Sequence, residues 1–74
     1  MSIGASILGC SGPTLTAEER TFFRRVKPWG FILFGRNVEG PNQVRALVGA
    51  LRDTVGRADA PVLIDQEGGR VQRL

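Results

Sequence analysis

Short apolar runs alternate along this chain with longer segments of helical periodicity, and that alternation leaves few folds open. Gly30–Phe34 and Pro61–Ile64 are apolar without alternation, which is typical of strands covered on both faces, as in a parallel sheet. A third run, Ser2–Leu8, comes before them and is followed by the turn-forming segment Gly9–Pro13. The sequence therefore predicts strands separated by two segments that are long enough to form right-handed crossover helices.

The first helix is predicted to begin at a capping box, in which the Thr16 hydroxyl and the Glu19 carboxylate each accept a hydrogen bond from a free backbone N–H. Pro28 cannot continue this helix and sets its end. Its apolar face is predicted from helical spacing and consists of Phe22, Phe23 and Val26. All four phenylalanines of the chain, Phe22, Phe23, Phe31 and Phe34, are interpreted as core, and Trp29 as a packing residue.

The second helix is predicted to begin with Pro41, which suits a first helical turn, and to end at the cap Gly56. A single apolar stripe follows the helical period: Val44, Leu47, Val48, Leu51 and Val55. The resulting order is strand, helix, strand, helix, strand. Such a set leaves sheet edges and at least one strand face uncovered, so we expect the opening portion of a larger α/β protein.

Composition excludes several kinds of chemistry. The 74 residues contain no histidine and one cysteine, so Cys10 has no disulfide partner within the chain, and no zinc finger or histidine-based triad is encoded. We expect no metal and no other cofactor. No apolar stretch approaches the roughly 20 residues that span a bilayer, and the first residues lack a signal-type pattern. The expectation is a soluble cytoplasmic protein with no membrane partner.

The charge balance leaves an alternative function open. Ten lysines and arginines against seven acids give a formal net charge of +3, which permits binding to nucleic acid or another polyanion. The arginines are scattered rather than clustered, so no nucleic-acid partner is expected, and a non-catalytic basic module is the alternative hypothesis. A third possibility is self-association of the chain through exposed sheet edges.

Parallel strands that are joined by crossovers bring the segments after each strand to one rim, where α/β folds bind ligands. Asp65 lies in the most polar of these segments, and its carboxylate can accept two or more hydrogen bonds from ligand hydroxyls. Alternatively, Asp65 caps a turn or pairs with an arginine. Glu67 is interpreted as structural. The three rim segments are predicted to be Gly9–Gly12, Gly35–Asn37 and Asp65–Arg73.

The sequence near the first strand does not match three well-known motifs. Gly9–Gly12 lacks the Gly-x-Ser-x-Gly frame of a nucleophile elbow. Gly4 and Gly9 have the spacing of a phosphate loop, but Cys10 and Ser11 stand where lysine and serine or threonine are required. No Gly-x-Gly-x-x-Gly follows the strand, so a dinucleotide site is unsupported. Cys10 is interpreted as a small buried hydrophobe rather than a reactive thiol.

Two strings of residues resemble a known family. Ile-Leu-Phe-Gly-Arg-Asn at residues 32–37 stands about thirty residues before Ile-Asp-Gln-Glu-Gly-Gly-Arg-Val-Gln-Arg-Leu at 64–74, with a Pro-x-Gln-Val helix start between them. Together they resemble the amino-terminal part of the bacterial β-N-acetylhexosaminidases of glycoside hydrolase family 3. The resemblance covers essentially the whole chain and roughly the first quarter of such an enzyme.

The resemblance implies an α/β fold that is the first βαβαβ portion of a (β/α)8 TIM barrel, truncated after the third strand. Residues 1–74 would then be an amino-terminal fragment of the catalytic barrel, with no second domain. Family members remove terminal β-linked N-acetylglucosamine from cell-wall muropeptides during peptidoglycan recycling, through a glycosyl-enzyme intermediate. Their aspartate nucleophile and histidine acid/base lie outside this sequence, which implies no catalytic residue here and an inactive chain on its own.

The resemblance also implies two substrate-binding residues. Asp65 matches the aspartate that accepts hydrogen bonds from the sugar hydroxyls, and Arg73 matches the arginine that belongs to the same substrate site. Both chemistries are reasonable, because a carboxylate is a bidentate acceptor and a planar guanidinium is a fixed donor. Arg73 either contacts the sugar directly or braces Asp65, and residues 66–70 are interpreted as shaping the loop.

Overall fold

The computed structural model describes residues 6–66 and 70–74, which form one four-stranded sheet and two α-helices. The first two strands pair in parallel, and so do the second and third. This confirms the parallel order predicted for the first three strands, while residues 2–5 of the first predicted strand lie outside the described part. The strands, in sheet order, are β1 (Ile7–Leu8), β2 (Gly30–Leu33), β3 (Val62–Gln66) and β4 (Arg70–Arg73).

The fourth strand is the main departure from the predicted fold. The sequence predicts a third strand that ends at Asp65 and a loop through Arg73, but β3 continues to Gln66 and β4 pairs with it antiparallel. Leu63 lies opposite Arg73, and Asp65 lies opposite Val71. The prediction of a loop after Asp65 is therefore wrong for Gln66 and for Arg70–Arg73, which lie in strands, because β4 takes up backbone groups of β3 that would otherwise form an open edge. The predictions for Glu67, Gly68 and Gly69 fall outside the described residues.

Helix α1 (Ala17–Val26) begins and ends where its sequence predicts. The Thr16 hydroxyl accepts a hydrogen bond from the Glu19 N–H at 3.0 Å, and the Glu19 carboxylate accepts one from the Thr16 N–H at 3.0 Å. At the other end, Lys27 adopts the left-handed conformation (φ 51°), and its N–H donates to the Phe23 carbonyl at 2.8 Å. The predicted capping box is confirmed, and Pro28 follows directly after the C-cap.

Helix α2 (Pro41–Val55) is likewise bounded by the residues that predict it. Pro41 occupies the first turn, and Gly56 caps the end in the left-handed conformation (φ 68°), where glycine carries no steric penalty. The predicted apolar stripe faces the core: Leu47, Leu51 and Val55 are buried, and Val44 and Val48 pack against them partly buried.

Both helices pack on the same face of the sheet. Phe23 of α1 contacts Phe31 of β2 edge-to-face, with ring centroids 5.2 Å apart. Leu33 and Val62 continue this strand face, which the stripe of α2 covers. The buried apolar residues are Cys10, Phe23, Phe31, Leu33, Leu47, Leu51, Val55, Ala60 and Val62.

Some residues predicted to be core are exposed instead. Phe22 is 44% exposed, Val26 43% and Trp29 43%, while Phe34 is half-buried. The interpretation of Phe22, Val26 and Trp29 as packing residues is therefore wrong within the chain as described. The reason for α1 is its position: among the described strands β1 is at the edge, so no element of residues 6–66 and 70–74 covers the side of the helix that faces past β1.

The second face of the sheet is not part of this core. Ile32 pairs with Leu63, and Asp65 lies two residues further along β3, so alternation places all three on one face. Ile32 and Leu63 are half-buried and lie outside the core cluster, and Ile7 on the same face is 39% exposed. No helix in the described part of the chain is long and apolar enough to cross a membrane.

Candidate functional site

The carboxyl ends of the parallel strands form a rim on which the predicted segments meet. Leu33 at the end of β2 pairs with Ile64 of β3, so the next residues, Phe34 and Asp65, are neighbours across the two strands. After Phe34 the chain makes a 3₁₀ turn over Gly35–Asn37, here called the rim turn. Asp65 is half-buried and belongs to β3 itself rather than to a loop after it.

Asn37 joins the first two rim segments. Its side chain is fully buried, and its amide nitrogen donates to the carbonyl oxygens of Cys10 at 3.0 Å and Gly12 at 2.8 Å. Its amide oxygen accepts from the Phe34 N–H at 2.8 Å. The buried amide thus has partners for both of its ends, as a polar group without water requires. One side chain fixes the segment after β1 against the end of β2.

Gln43 extends this bracing to the start of α2. Its amide nitrogen donates to the carbonyl of Pro13 at 2.6 Å and to that of Asn37 at 2.7 Å. Its amide oxygen accepts from the Glu39 N–H at 2.7 Å and the Gly40 N–H at 3.3 Å. Because each amide bonds two segments at once, the rim has a defined backbone shape before any ligand is bound.

The titratable groups on this part of the rim are structural. Burial raises the pKa of the Cys10 thiol, and the nearby Glu19 carboxylate raises it further. The thiolate is therefore disfavoured, which agrees with the interpretation of Cys10 as a small buried hydrophobe. For Glu19, burial acts to raise the pKa, but hydrogen bonds from Thr16 and Ser11 outweigh it and hold that pKa below its ordinary value.

The two predicted sugar-binding residues lie on one face of the β3–β4 pair. Arg73 is opposite Leu63, and Leu63 and Asp65 are two residues apart on the same strand. Cross-strand partners share a face, so Asp65 and Arg73 are diagonal neighbours on the sheet face that lies away from the helices. Arg73 is exposed, and Asp65 also takes part in an interaction within the chain.

The described residues also form a groove that lies away from Asp65. A groove of about 340 Å³ lies between β1 and α1, lined by Leu8, Gly9, Glu18, Glu19, Phe22 and Phe23. It does not include Asp65. Within residues 6–66 and 70–74, no three side chains of histidine, cysteine, aspartate or glutamate are placed to hold a metal ion.

Asn37 and Gln43 are the site residues that the sequence did not single out for a role. Both stand in the strings that carry the family resemblance, which was the available signal. Their partners at Cys10, Gly12 and Pro13 are 25 to 30 residues away in the chain, so local pattern could not reveal them.

Fold and rim together define an α/β chain whose polar residues gather where parallel strands end, the arrangement of proteins that bind small ligands at a sheet rim. No family model matches the sequence. A β-hexosaminidase of Pseudomonas aeruginosa PAO1 is 48% identical over 71 residues, which are 96% of this chain and 21% of that protein. A β-hexosaminidase of Alkalilimnicola ehrlichii is 42% identical over 74 residues, 100% of this chain and 21% of that protein.

The fold of this chain is also similar to that of solved structures. The NagZ structure from Neisseria gonorrhoeae in complex with zinc ion has a TM-score of 0.74 and 30% identity, covering 97% of this chain and 21% of that one. The same protein in complex with N-trifluoroacetyl-D-glucosamine also has a TM-score of 0.74 at 30% identity, covering 96% and 21%. This chain is thus a homologue of the bacterial β-hexosaminidases, and it spans about one fifth of the length of the relatives it matches.

Proposed function

We propose that this chain forms the amino-terminal portion of a retaining β-N-acetylhexosaminidase of glycoside hydrolase family 3. The support is a match over nearly the whole chain to relatives of that name, at 48% identity for one of them, with 21% of the relative covered. In this proposal β1, β2 and β3 are the opening strands of a (β/α)8 barrel. The sheet face away from the helices then becomes the inside of the barrel, and residues 1–74 contain no second domain.

The observation that carries the proposal is that Asp65 and Arg73 lie on the sheet face away from the helices, with Asp65 next to the end of β2. A carboxylate at this position accepts hydrogen bonds from two neighbouring sugar hydroxyls, and a guanidinium beside it donates to the sugar or braces the carboxylate. The gonococcal NagZ structure holds N-trifluoroacetyl-D-glucosamine, a close analogue of the sugar proposed here.

The proposed substrate is a cell-wall muropeptide that ends in β-linked N-acetylglucosamine, hydrolysed during peptidoglycan recycling in the cytoplasm. The nucleophile and the acid/base belong to the rest of the enzyme, so the 74-residue chain supplies sugar-binding residues only and is inactive alone. No metal, nucleic acid or membrane takes part in this proposal.

A chimera tests whether the chain supplies this part of an enzyme. In the Pseudomonas aeruginosa β-hexosaminidase, the matching segment is replaced by this chain, and hydrolysis of 4-nitrophenyl N-acetyl-β-D-glucosaminide is measured. We expect the chimera to be active and the isolated 74-residue chain to be inactive. A folded chimera without activity, or hydrolysis by the isolated chain free of contaminating enzyme, would contradict the proposal.

Within the chimera, Asp65→Ala should lower kcat/KM by about ten- to a hundredfold. The substitution leaves sugar hydroxyls without an acceptor, and a missing partner for a buried polar group costs about 1 to 3 kcal/mol. Asp59→Ala, which changes an exposed aspartate before β3, is the matched control and should keep full activity. Equal kinetics in the two variants would remove Asp65 from the sugar site.

A further inference from the structure

The guanidinium of Arg57 has one nitrogen that the described residues leave without a partner. Arg57 is half-buried, and its Nη1 atom is buried and makes no hydrogen bond within residues 6–66 and 70–74. Buried polar groups almost always have a hydrogen-bond partner. An arginine also cannot lose its charge to avoid the cost of burial. An acceptor for Nη1 is therefore expected from outside the described residues.

Hydrogen bonds on several sides fix the position of this guanidinium. The Arg57 N–H donates to the Arg52 carbonyl at 3.3 Å, in the cap that ends α2, and the Arg57 carbonyl accepts from the Ala60 N–H at 3.2 Å. In the side chain, Nη2 donates to the Trp29 carbonyl at 3.0 Å. The two terminal nitrogens belong to one planar group, so the bond to Trp29 also fixes Nη1.

The surface beside Arg57 has the composition of an interface. Trp29, whose carbonyl binds Arg57, has an exposed side chain. Tryptophan and arginine are enriched among the residues that carry most of the binding energy of protein interfaces. Arg57 also lines a groove of about 420 Å³ at the carboxyl end of α2, together with Arg52 and Asp53. Asp53 is exposed and is not bonded to Nη1.

This surface lies at the opposite end of the sheet from Asp65. Trp29 directly precedes β2, and Arg57 lies in the segment before β3, whereas Asp65 is near the carboxyl end of β3. Strands β2 and β3 are parallel, so their amino ends lie together, away from the rim. A partner at Arg57 is therefore separate from the proposed sugar site.

We propose that Arg57 binds an acidic side chain from the rest of the enzyme, so that the amino ends of β2 and β3 form an interface within the full polypeptide. The inference rests on the proposed function, in which this chain is about one fifth of the enzyme. A carboxylate is the matching acceptor, because a buried charge is stable only when it is paired. The two arginines of the groove, against one aspartate, also favour a negatively charged occupant.

A crystal structure of the chimera with the Pseudomonas aeruginosa enzyme tests the contact directly. We expect an aspartate or glutamate oxygen of the Pseudomonas part to lie about 2.7 to 2.9 Å from Arg57 Nη1, the range of a charge-assisted N–H···O bond. A backbone carbonyl, a water molecule or no acceptor at that position would overturn the inference.

Thermal unfolding of the same chimera measures what the contact contributes. Arg57→Met keeps an apolar side chain without donors and should lower the unfolding temperature by about 5 °C or more, because the acidic partner is left buried and unpaired. Arg57→Lys should lower it less, since the charge is retained. Arg25→Met changes an exposed arginine on α1 and should stay within about 1 °C. Equal shifts in Arg57→Met and Arg25→Met would also overturn the inference.

The inference and the proposed function can fail separately. An active chimera without an acidic partner at Arg57 overturns this inference alone. A folded but inactive chimera contradicts the proposed function, while the atom bonded to Nη1 still decides the role of Arg57. A chimera that does not fold contradicts both, because this chain then does not fit the enzyme that is to supply the acceptor.

Discussion

A single buried amide, that of Asn37, joins two segments of the rim. It bonds the backbone at Cys10, Gly12 and Phe34, and it is fully buried. Because buried polar groups are costly when they lose their partners, the energetic value of Asn37 lies in the three backbone groups that it satisfies.

Replacing Asn37 by alanine should therefore lower the free energy of unfolding by about 2 to 4 kcal/mol, since several buried groups lose their partners together. Asn42→Ala is the matched control, because Asn42 is exposed and accepts one hydrogen bond, from Arg45 at 3.3 Å. Its effect should stay within about 0.5 kcal/mol. Urea unfolding followed by circular dichroism measures both, and similar losses in the two variants would refute the assigned role.

Glu19 makes stability depend on pH with a definite sign. Its pKa in the folded chain is held below the ordinary value of 4.5, because hydrogen bonds from Thr16 and Ser11 favour the charged form against the opposing effect of burial. A depressed carboxyl pKa stabilises the fold above the unfolded value, and this contribution is lost as the pH falls through the folded value. Stability should therefore decline on acidification below about pH 4.5.

Urea unfolding at neutral and acidic pH checks this expectation. Glu19→Gln should be less stable than the unmodified chain at neutral pH, and its stability should depend less on acidification. Glu18→Gln changes an exposed carboxylate in the same helical turn and serves as control. If Glu18→Gln and Glu19→Gln show the same pH profile, the hydrogen bonds at Glu19 do not provide the linkage.

At the scale of elements, two glycines have opposite consequences. A Cβ at Gly30, in β2, would lie 2.8 Å from the Pro61 carbonyl oxygen, a backbone atom that cannot easily move. At Gly49, in the middle of α2, a Cβ would meet nothing within 4 Å. The first glycine allows β2 to approach the segment before β3, whereas the second only weakens a helix.

We predict that Gly30→Ala destabilises the chain by about 1 to 3 kcal/mol through overpacking. Gly49→Ala should instead stabilise it by about 0.5 to 1 kcal/mol, because alanine has the higher helix propensity. Thermal unfolding of the two variants shows directly whether each substitution raises or lowers stability. A Gly30→Ala variant that is as stable as the unmodified chain would show that the close approach at Gly30 does not limit packing.

Element boundaries were predictable where local chemistry sets them. The capping box of Thr16 and Glu19, the first-turn Pro41 and the cap Gly56 each act within a few residues, and all three predictions are confirmed. β4 was missed because its residues Arg-Val-Gln-Arg have no apolar run, and their strand conformation depends on pairing with β3. Hydrophobic periodicity reports burial, so it does not detect a strand whose residues show no apolar pattern.

The exposed side of α1 shows the same limit. Spacing predicts one apolar face with Phe22, Phe23 and Val26, yet only Phe23 of the three is buried. Which residue is covered depends on the elements that pack beside α1, and local sequence does not contain that information. For the candidate site, Asp65 was predicted from its position at the end of an apolar strand and from family resemblance, and Arg73 from the resemblance alone. Their common sheet face became visible only in the register of β3 and β4.

At the scale of the whole molecule, the two faces of the sheet differ in how they are covered. One is closed by helices, while the face with Ile32, Leu63 and Asp65 and the edge beside Phe22 lie outside the core. In the proposed enzyme the remaining four-fifths of the polypeptide cover these surfaces. For the isolated chain, self-association through exposed sheet edges is the alternative way of covering them.

The alternative function, binding of nucleic acid through arginines, makes a contrasting prediction. Three arginine side chains donate hydrogen bonds to backbone carbonyls within the chain: Arg36 to Cys10, Arg52 to Ala60 and Arg57 to Trp29. We therefore expect only weak binding to a duplex of random sequence. Titration at rising salt measures this, because phosphate contacts lose affinity steeply with salt. Tight, strongly salt-dependent binding together with an inactive chimera would favour the basic-module alternative.

The most direct measurement is a crystal structure of the chimera with N-acetylglucosamine bound. We predict that the Asp65 carboxylate oxygens lie about 2.5 to 3.0 Å from two hydroxyls of the sugar, the range of O–H···O hydrogen bonds. Arg73 should then contact the sugar or the same carboxylate. A sugar bound in the barrel with Asp65 out of hydrogen-bond reach would contradict the claim that this chain supplies the sugar-binding face.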